Sequence, residues 1–210
     1  RFLRPDGRAW WLEDPLQNLY GRPETALPGW VTLRSDTNYR SPRDILATFR
    51  LLLPLAEPVV AGSPLTGPEV DILTYATPDE LVSRSVAAIT KAIGLGFKRS
   101  HIALISYRGR EHSALSPLTR LGPYSLRAPT GHYDLLGNPI LTEGDILIDS
   151  VLRFKGRAAP CVIFTEIDFD MLDDKAMRRL FVGATRATMK LTLVVSEASA
   201  AVLKARLAQG

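Results

Sequence analysis

Short apolar segments alternate with amphipathic segments along most of this chain, and the two periodicities predict strands and helices in turn. Several apolar segments are continuous rather than alternating, which is typical of strands covered on both faces of a parallel sheet. Regular alternation of strand and helix predicts an α/β domain. The candidate strands cover residues 9–12, 30–33, 71–75, 101–105, 145–148, 161–165 and 191–195.

Two of the predicted helices carry a start signal. Ser41 followed by Pro42 offers a capping hydroxyl and a proline at the first helical position. Thr77 and Pro78 repeat this pattern, and apolar residues at helical spacing follow them. Residues 109–144 are instead rich in Pro, Gly and polar residues, and they predict a long loop or small insertion with one strand at 124–127.

The composition is that of a folded domain. Of 210 residues, 46% are hydrophobic and 23% are charged, which excludes a disordered, collagen-like or coiled-coil chain. No apolar run approaches the roughly 18 residues that span a bilayer, so we expect no membrane partner.

Cys161 is the single cysteine, and its apolar neighbours predict a buried side chain without a disulfide, which fits a reducing cytoplasm. The chain starts at Arg1 without a signal peptide, and we expect it to be part of a longer protein.

The net charge of +4 is unevenly distributed. Residues 98–127 carry six Lys and Arg residues against one acid, Glu111. Aromatic residues lie in or beside this stretch, namely Phe97, Tyr107 and Tyr124. Cations interleaved with rings suit a nucleic-acid strand, because phosphates bind arginine and bases stack on rings. A solvated basic face is the alternative.

Two motifs in the N-terminal part contain residues suited to a phosphate. Gln17 follows a candidate strand, at the end where ligands of α/β sheets bind, although an ordinary turn is the favoured explanation of this motif when it is taken alone. Tyr39 and Arg40 precede a helix start, where a ring can stack on a base and a guanidinium can meet an anion. A surface arginine beside a helix cap is the alternative.

Two further motifs lie in the C-terminal part. Residues 150–157 combine three cations with Gly156, which suits a loop that contacts phosphate or a plain basic turn. Arg186 lies near the end of an apolar helical segment and is permanently charged, so it needs a partner. That partner is either a phosphate from a neighbouring domain or a buried salt bridge.

In order along the chain, the four motifs resemble motifs III, IV, V and VI of the UvrD/Rep-type superfamily 1 DNA helicases. Residues 14–20 are similar to the motif III pattern GDxxQxIY, and residues 38–41 match the end of the motif IV pattern QNYRS. Lys155 and Gly156 resemble the KG pair of motif V, TIHSAKGLE. Residues 180–187 are similar to motif VI, LxVxxTRA.

The resemblance implies the second, C-terminal RecA-like domain of an ATP-dependent DNA helicase or translocase. Such a domain is a three-layer, P-loop NTPase-type α/β fold with a parallel sheet flanked by helices, here without a Walker A loop of its own. Residues 1–30 are then a remnant of the first RecA-like domain with motif III, and residues 31–210 form the second domain with a short insertion at 109–144. The implied partners are single-stranded DNA and the N-terminal RecA-like domain.

The implied cofactors are ATP and Mg²⁺, both held mainly by the upstream domain. Arg40 and Arg186 resemble the two arginines that reach the γ-phosphate, where they offset the charge of the transferred phosphoryl group. Gln17 resembles the glutamine that couples the γ-phosphate to DNA. Tyr39 is expected to stack on adenine, and the motif V pair Lys155–Gly156 to lie close to the nucleotide.

The implied DNA contacts are Tyr20, which resembles a base-stacking ring of motif III, and Ser150 and Arg153 in the motif V segment. The motif V pattern departs at its His and Glu, which are Leu152 and Ala158 here. These departures leave both arginines untouched.

No GxxxxGK[ST] loop and no DExx acid pair precedes motif III. We therefore expect this chain alone not to hydrolyse ATP. Acids cluster at residues 166–174, where we expect a solvated loop and the start of a helix rather than a metal site. Two alternatives stay open: a catalytically silent helicase-like module that binds DNA or a partner, and an unrelated α/β enzyme with a site around Arg186 and these acids.

Overall fold

The structure is a computed structural model, which describes residues 7–23, 25–53 and 59–208. The strands are β1 (Thr37–Asn38), β2 (Val60–Ala61), β3 (Asp71–Tyr75), β4 (Ile102–Ser106), β5 (Arg120–Leu121), β6 (Tyr124–Arg127), β7 (Pro129–Tyr133), β8 (Pro139–Leu141), β9 (Ile146–Ser150), β10 (Ala159–Ile167) and β11 (Ala187–Ser196). The α-helices are α1 (Arg43–Leu52), α2 (Pro78–Gly94), α3 (Asp174–Ala184) and α4 (Glu197–Leu207). Two 3-10 turns cover Pro15–Gln17 and Arg99–His101.

Seven of the strands form one sheet in the order β3-β11-β10-β4-β9-β6-β5. All neighbouring pairs are parallel except β5 with β6. The predicted α/β class with a largely parallel sheet is therefore confirmed. The pairs β1–β2 and β7–β8 form two small sheets outside it.

Apolar residues cover both faces of this sheet. Along β10, Val162 and Phe164 pack in one hydrophobic cluster, and Cys161 and Ile163 pack in the other. Helices α1, α3 and α4 contribute to the first cluster, and α2 contributes to the second. This double burial explains why the central strands read as continuous apolar runs.

One predicted helix start is confirmed and one is wrong. Thr77 caps α2 by accepting a hydrogen bond from the backbone N–H of Glu80 at 3.2 Å. Ser41 does not cap α1, because Pro42 occupies the cap position and α1 begins at Arg43. The buried Ser41 hydroxyl instead donates to the carbonyl of Thr185 at 3.4 Å. A long-range contact has thus displaced the local capping preference.

The strand predictions for residues 109–144 and for the N-terminal residues 9–33 have different outcomes. Within 109–144, the predicted strand Tyr124–Arg127 is present as β6, and β5, β7 and β8 accompany it. The strands predicted at 9–12 and 30–33 are wrong, because these residues have no regular structure. Trp10 is 75% exposed, and a strand needs cross-strand neighbours to realise its β propensity. The proposed division at residue 30 stays a prediction.

Within the described residues, none of the helices has the length and apolar character needed to cross a membrane.

Candidate functional site

Arg186 lies directly before β11, at the edge of the sheet where the parallel strands begin, and only 1% of its surface is exposed. Its Nε donates to the carbonyl of Val182 at 3.0 Å, and its Nη1 donates to the carbonyl of Arg157 at 3.4 Å. Its Nη2 donates to the hydroxyl of Thr185 at 3.2 Å. All three acceptors are neutral oxygen atoms rather than carboxylates.

Gln17 contacts Arg186 although the two residues are 169 positions apart in the sequence. Arg186 Nη2 donates to Gln17 Oε1 at 3.4 Å, and Gln17 Nε2 donates to Asp14 Oδ2 at 2.5 Å. The segment that carries Gln17 is fixed on α3 by the buried Leu19 and by a 3.4 Å hydrogen bond from Arg178 to the carbonyl of Asn18. The structure therefore brings the first and fourth sequence motifs together.

Arg40 adds a second cation to this site, which we call the Arg186 cluster and define as Asp14, Gln17, Arg40 and Arg186. Burial and, second, the charge of Arg40 lower the pKa of Arg186 to about 10, and the charge of Asp14 acts in the opposite direction. At neutral pH the guanidinium stays charged because this pKa lies well above 7. The buried Arg186 and the exposed Arg40, with one carboxylate nearby, form a cationic site that is suited to an added anion.

The backbone around residue 38 orients Tyr39 and Arg40. The Asn38 side chain accepts hydrogen bonds from the backbone N–H of Arg40 at 2.9 Å and of Ser41 at 3.0 Å. The ring of Tyr39 is 74% exposed and rests on Gly62, where an added Cβ would lie 2.6 Å from its Cε1. Tyr39 thus presents an open ring face beside Arg40.

The segment between β9 and β10 runs across the sheet from the carboxyl ends of its strands to the Arg186 cluster. Lys155 is exposed at its tip, and Gly156 has a φ of 87°, a conformation that favours glycine. Arg157 follows and offers its carbonyl to Arg186. Gly156 and Lys155 accordingly lie one and two residues, respectively, from a direct contact of the cluster.

A second candidate site lies at the opposite edge of the sheet, where β4, β9 and β10 end. An open cavity of about 540 Å³, which we call the basic pocket, has four arginines and two acids in its wall. Its charged and polar wall residues include Arg108, Arg110, Glu111, Ser150, Arg153, Asp168 and Arg179. Arg108 pairs with Asp168 at 2.5 Å, so a net positive charge is left.

Arg179 gives this pocket an unsatisfied donor. Its guanidinium lies 5.5 Å above the ring of Tyr107, and its buried Nε finds no hydrogen-bond acceptor among the described residues. A buried N–H without an acceptor is unfavourable, and the net positive charge of the wall makes the pocket suited to an anionic oxygen ligand.

Glu166 supports the basic pocket, and the expectation of a solvated loop is wrong for this residue. It is buried rather than solvated, and its φ of 57° is unusual for a residue other than glycine. Its carboxylate accepts hydrogen bonds from the Ser113 hydroxyl at 2.5 Å and from the Ala114 N–H at 2.6 Å. Glu166 thereby anchors the segment that carries Arg108 and Arg110. The only sequence signal was an acid directly after the apolar run of β10.

The predicted DNA contacts are only partly brought together. Ser150 and Arg153 both line the basic pocket, and the buried Ser150 hydroxyl accepts from the Arg153 N–H at 3.4 Å. Tyr20 is 60% exposed, with Arg22 5.6 Å from its ring centre, and it is not part of the pocket wall.

Two acidic residues after β10 stabilise the start of helix α3. Asp173 caps α3 by accepting a hydrogen bond from Ala176 N–H at 2.7 Å, and Asp174 lies in the first helical turn. Among the described residues, no group of three or more His, Cys, Asp and Glu side chains is placed to hold a metal ion.

Cys161 is fully buried in β10, which confirms the prediction for its side chain. Burial raises the pKa of this thiol to about 12 from an ordinary value of 9.0. We expect the native protein to react with Ellman's reagent at pH 8 slower than the urea-unfolded protein by a factor on the order of a thousand, because the thiolate is the reactive form. Equal rates in native and unfolded protein would contradict this placement.

Comparison with known proteins gives a family match and a structural match. Residues 145–194 match the family model of the UvrD-like helicase C-terminal domain, a stretch that contains Ser150, Lys155 and Arg186. The predicted resemblance is confirmed there. Among solved structures, 34 chains match. One is the C-terminal domain of a possible DNA helicase from Lactobacillus plantarum WCFS1, with a TM-score of 0.55 and 18% sequence identity, covering 75% of this chain and 87% of that chain. No curated protein matches.

Proposed function

We propose that this chain, which carries the UvrD-like helicase match at residues 145–194, is the second RecA-like motor domain of an ATP-dependent DNA helicase or translocase. The family match indicates a role related to DNA helicases. The observation that carries this proposal is the Arg186 cluster, in which Gln17 accepts a hydrogen bond from Arg186 and the charge of Arg40 acts on Arg186.

The cluster would act on ATP held by an N-terminal RecA-like domain. Phosphoryl transfer spreads negative charge over the equatorial oxygens of the γ-phosphate, and positioned arginines stabilise that charge. Arg40 and Arg186 are the side chains for this role, because the buried Arg186 and the exposed Arg40 place two positive charges close enough to affect each other. Gln17 Oε1 accepts a hydrogen bond from the Arg186 guanidinium, and this glutamine would couple the γ-phosphate to DNA.

The adenine base and the adjoining part of the nucleotide would contact residues at the same edge of the sheet as the Arg186 cluster. The open ring of Tyr39 offers a stacking surface for adenine. Gly156 would let the backbone pass close to the nucleotide, and the exposed Lys155 would add positive charge.

The described residues do not provide a site for Mg²⁺, because they include no suitable group of acids. We propose that the upstream domain holds Mg²⁺ and the phosphate-binding loop, so that this chain alone does not hydrolyse ATP.

The basic pocket would hold the backbone of single-stranded DNA. Its four arginines can contact phosphates without reading bases, which suits a protein that moves along a strand. Ser150 and Arg153, two of the expected DNA contacts, line this pocket, and the exposed ring of Tyr20 is available for a base elsewhere on the strand.

We expect the Arg153→Gln variant of the full-length protein to bind single-stranded DNA more weakly. Loss of one phosphate contact should reduce the slope of log Kd against log salt by about 0.7. Fluorescence anisotropy with a labelled oligothymidylate at several salt concentrations measures this slope. Lys204→Gln on α4 is the matched control, since it removes an exposed cation outside the pocket. An unchanged slope in Arg153→Gln would remove this residue from the DNA contacts.

The test of the function is ATP turnover by the full-length protein with and without single-stranded DNA. Stimulation by DNA that depends on Arg186 supports the motor. One observation favours a second candidate, a catalytically silent module that binds DNA: Arg186 is 1% exposed and its hydrogen bonds are satisfied within the chain. In that case, substitution of Arg186 would leave ATP turnover unchanged.

A further inference from the structure

Asp149 is the last but one residue of β9 and lies between the two candidate sites. Its side chain is 5% exposed, and Oδ1 accepts a hydrogen bond from the Ser150 N–H at 2.9 Å. Its two cationic partners are distant. Arg153 Nε lies 3.9 Å from Oδ1, and Arg157 Nη1 lies 3.6 Å from Oδ2. Charge-assisted hydrogen bonds have N···O distances of about 2.7–2.9 Å, so both ion pairs are loose.

The charge of this buried carboxylate is consequently only partly balanced. Burial raises the pKa of Asp149 above its ordinary value, and the hydrogen bond from Ser150 and the charges of Arg153, Arg157 and Arg110 counteract this effect only in part. A buried anion in this state gains free energy whenever a cation approaches it more closely.

The two partners of Asp149 point to different sites. Arg153 lines the basic pocket, together with Arg110. Arg157 belongs to the other edge, because its carbonyl accepts a hydrogen bond from Arg186 Nη1. Two residues later, the Ala159 N–H donates to the Arg186 carbonyl at 3.0 Å. A shift of Arg157 therefore acts directly on Arg186.

We propose that Asp149 is a positioning residue that competes with a nucleic-acid phosphate for Arg153 and Arg110, and that this competition links the basic pocket to Arg186 through Arg157. A phosphate in the pocket draws Arg153 and Arg110 toward itself. Asp149 then loses the nearby charges of these two arginines and pairs more closely with Arg157. The closer pair fixes the hydrogen bond from Arg186 to the Arg157 carbonyl. The inference rests on the proposed function, because it describes how DNA in one site acts on ATP turnover at the other.

Asp149→Asn in the full-length protein tests this competition, because it removes the charge and keeps the size. We expect a Kd for oligothymidylate that is about threefold to tenfold lower, since the arginines lose a competing anion. We also expect the ratio of turnover at saturating DNA to turnover without DNA to fall by about fivefold or more. A residue with a merely structural role would not tighten DNA binding while it lowers the stimulation.

Two further variants separate the two effects. Glu111→Gln removes the same charge from the pocket wall without touching the β9–β10 loop, so it should tighten DNA binding and retain the stimulation. Arg157→Gln removes the ion pair with Asp149 that connects the basic pocket to Arg186, and Arg157 itself lies outside the pocket wall. The stimulation should therefore fall while the Kd changes by less than about threefold. Arg157 is partly exposed, so this variant is expected to fold even if Asp149→Asn does not.

The outcomes distinguish this inference from the proposed function. Wild-type protein without DNA-stimulated ATP turnover would overturn both. Normal stimulation in wild type, Asp149→Asn and Arg157→Gln alike would overturn only the role of Asp149. Tighter DNA binding with reduced stimulation in Asp149→Asn, and reduced stimulation alone in Arg157→Gln, supports it.

Discussion

Replacement of Arg186 with Ala is expected to lower the DNA-stimulated ATP turnover of the full-length protein by a factor on the order of a thousand. The guanidinium is fixed by Val182, Thr185 and Gln17, so its position is set before ATP is bound. Charge held in place in this way stabilises a transition state without reorganisation during the reaction. Steady-state turnover at saturating ATP and DNA measures the effect.

Two control variants separate charge, position and folding. Arg186→Lys keeps the charge but lacks the planar fork of donors, and we expect it to restore only a minor part of the activity. Lys175→Gln removes an exposed cation from the first turn of the same helix α3, at the end away from Arg186. It should retain most of the turnover. Because Arg186 is buried, circular dichroism must show that Arg186→Ala is folded. Full turnover in a folded Arg186→Ala would establish the silent binding module in place of the motor.

Gly183→Ala is expected to destabilise the domain by about 1–3 kcal/mol, the usual cost of overpacking a close-packed core. An added Cβ at Gly183 in α3 would lie 2.2 Å from Cε1 and 2.3 Å from Cζ of Phe164 in β10. Phe164 is fully buried, so its ring has no free space to enter. Intrinsic helix propensity alone would favour Ala by about 1 kcal/mol, so a loss of stability reports the packing contact.

Hydrogen–deuterium exchange of β10 peptides in the full-length protein measures this local stability. Gly94→Ala at the end of α2 is the matched control, because its added Cβ would meet open space, and we expect it to be neutral or stabilising. Adding Phe164→Leu to Gly183→Ala should cost less than the sum of the single substitutions by about 1 kcal/mol, as expected for residues in contact. Equal exchange in Gly183→Ala and Gly94→Ala would refute the close approach of α3 and β10.

Much of the fold was predictable because its signals are local. Continuous apolar runs indicated the central strands β4, β9, β10 and β11, and the Thr77 cap indicated the start of α2. The same local reasoning was wrong where tertiary contacts replaced the local preference, as at Ser41, whose hydroxyl bonds to Thr185 rather than capping α1. It was also wrong at residues 9–12, where apolar residues lack a partner strand among the described residues.

The candidate site, too, was predictable only in part. Motif order in the sequence indicated Gln17, Arg40 and Arg186 and the family that they resemble, because residue type and spacing are properties of the chain itself. Only the tertiary structure decided that Gln17 contacts Arg186 across 169 positions, and that the Arg186 cluster and the basic pocket lie at opposite edges of one sheet.

It also decided that Glu166 is a buried anchor and that Asp149 lies between two loosely paired arginines. The physical reason is that burial, pKa and ion pairing depend on neighbours brought together by packing. Periodicity and capping, by contrast, depend on neighbours along the chain.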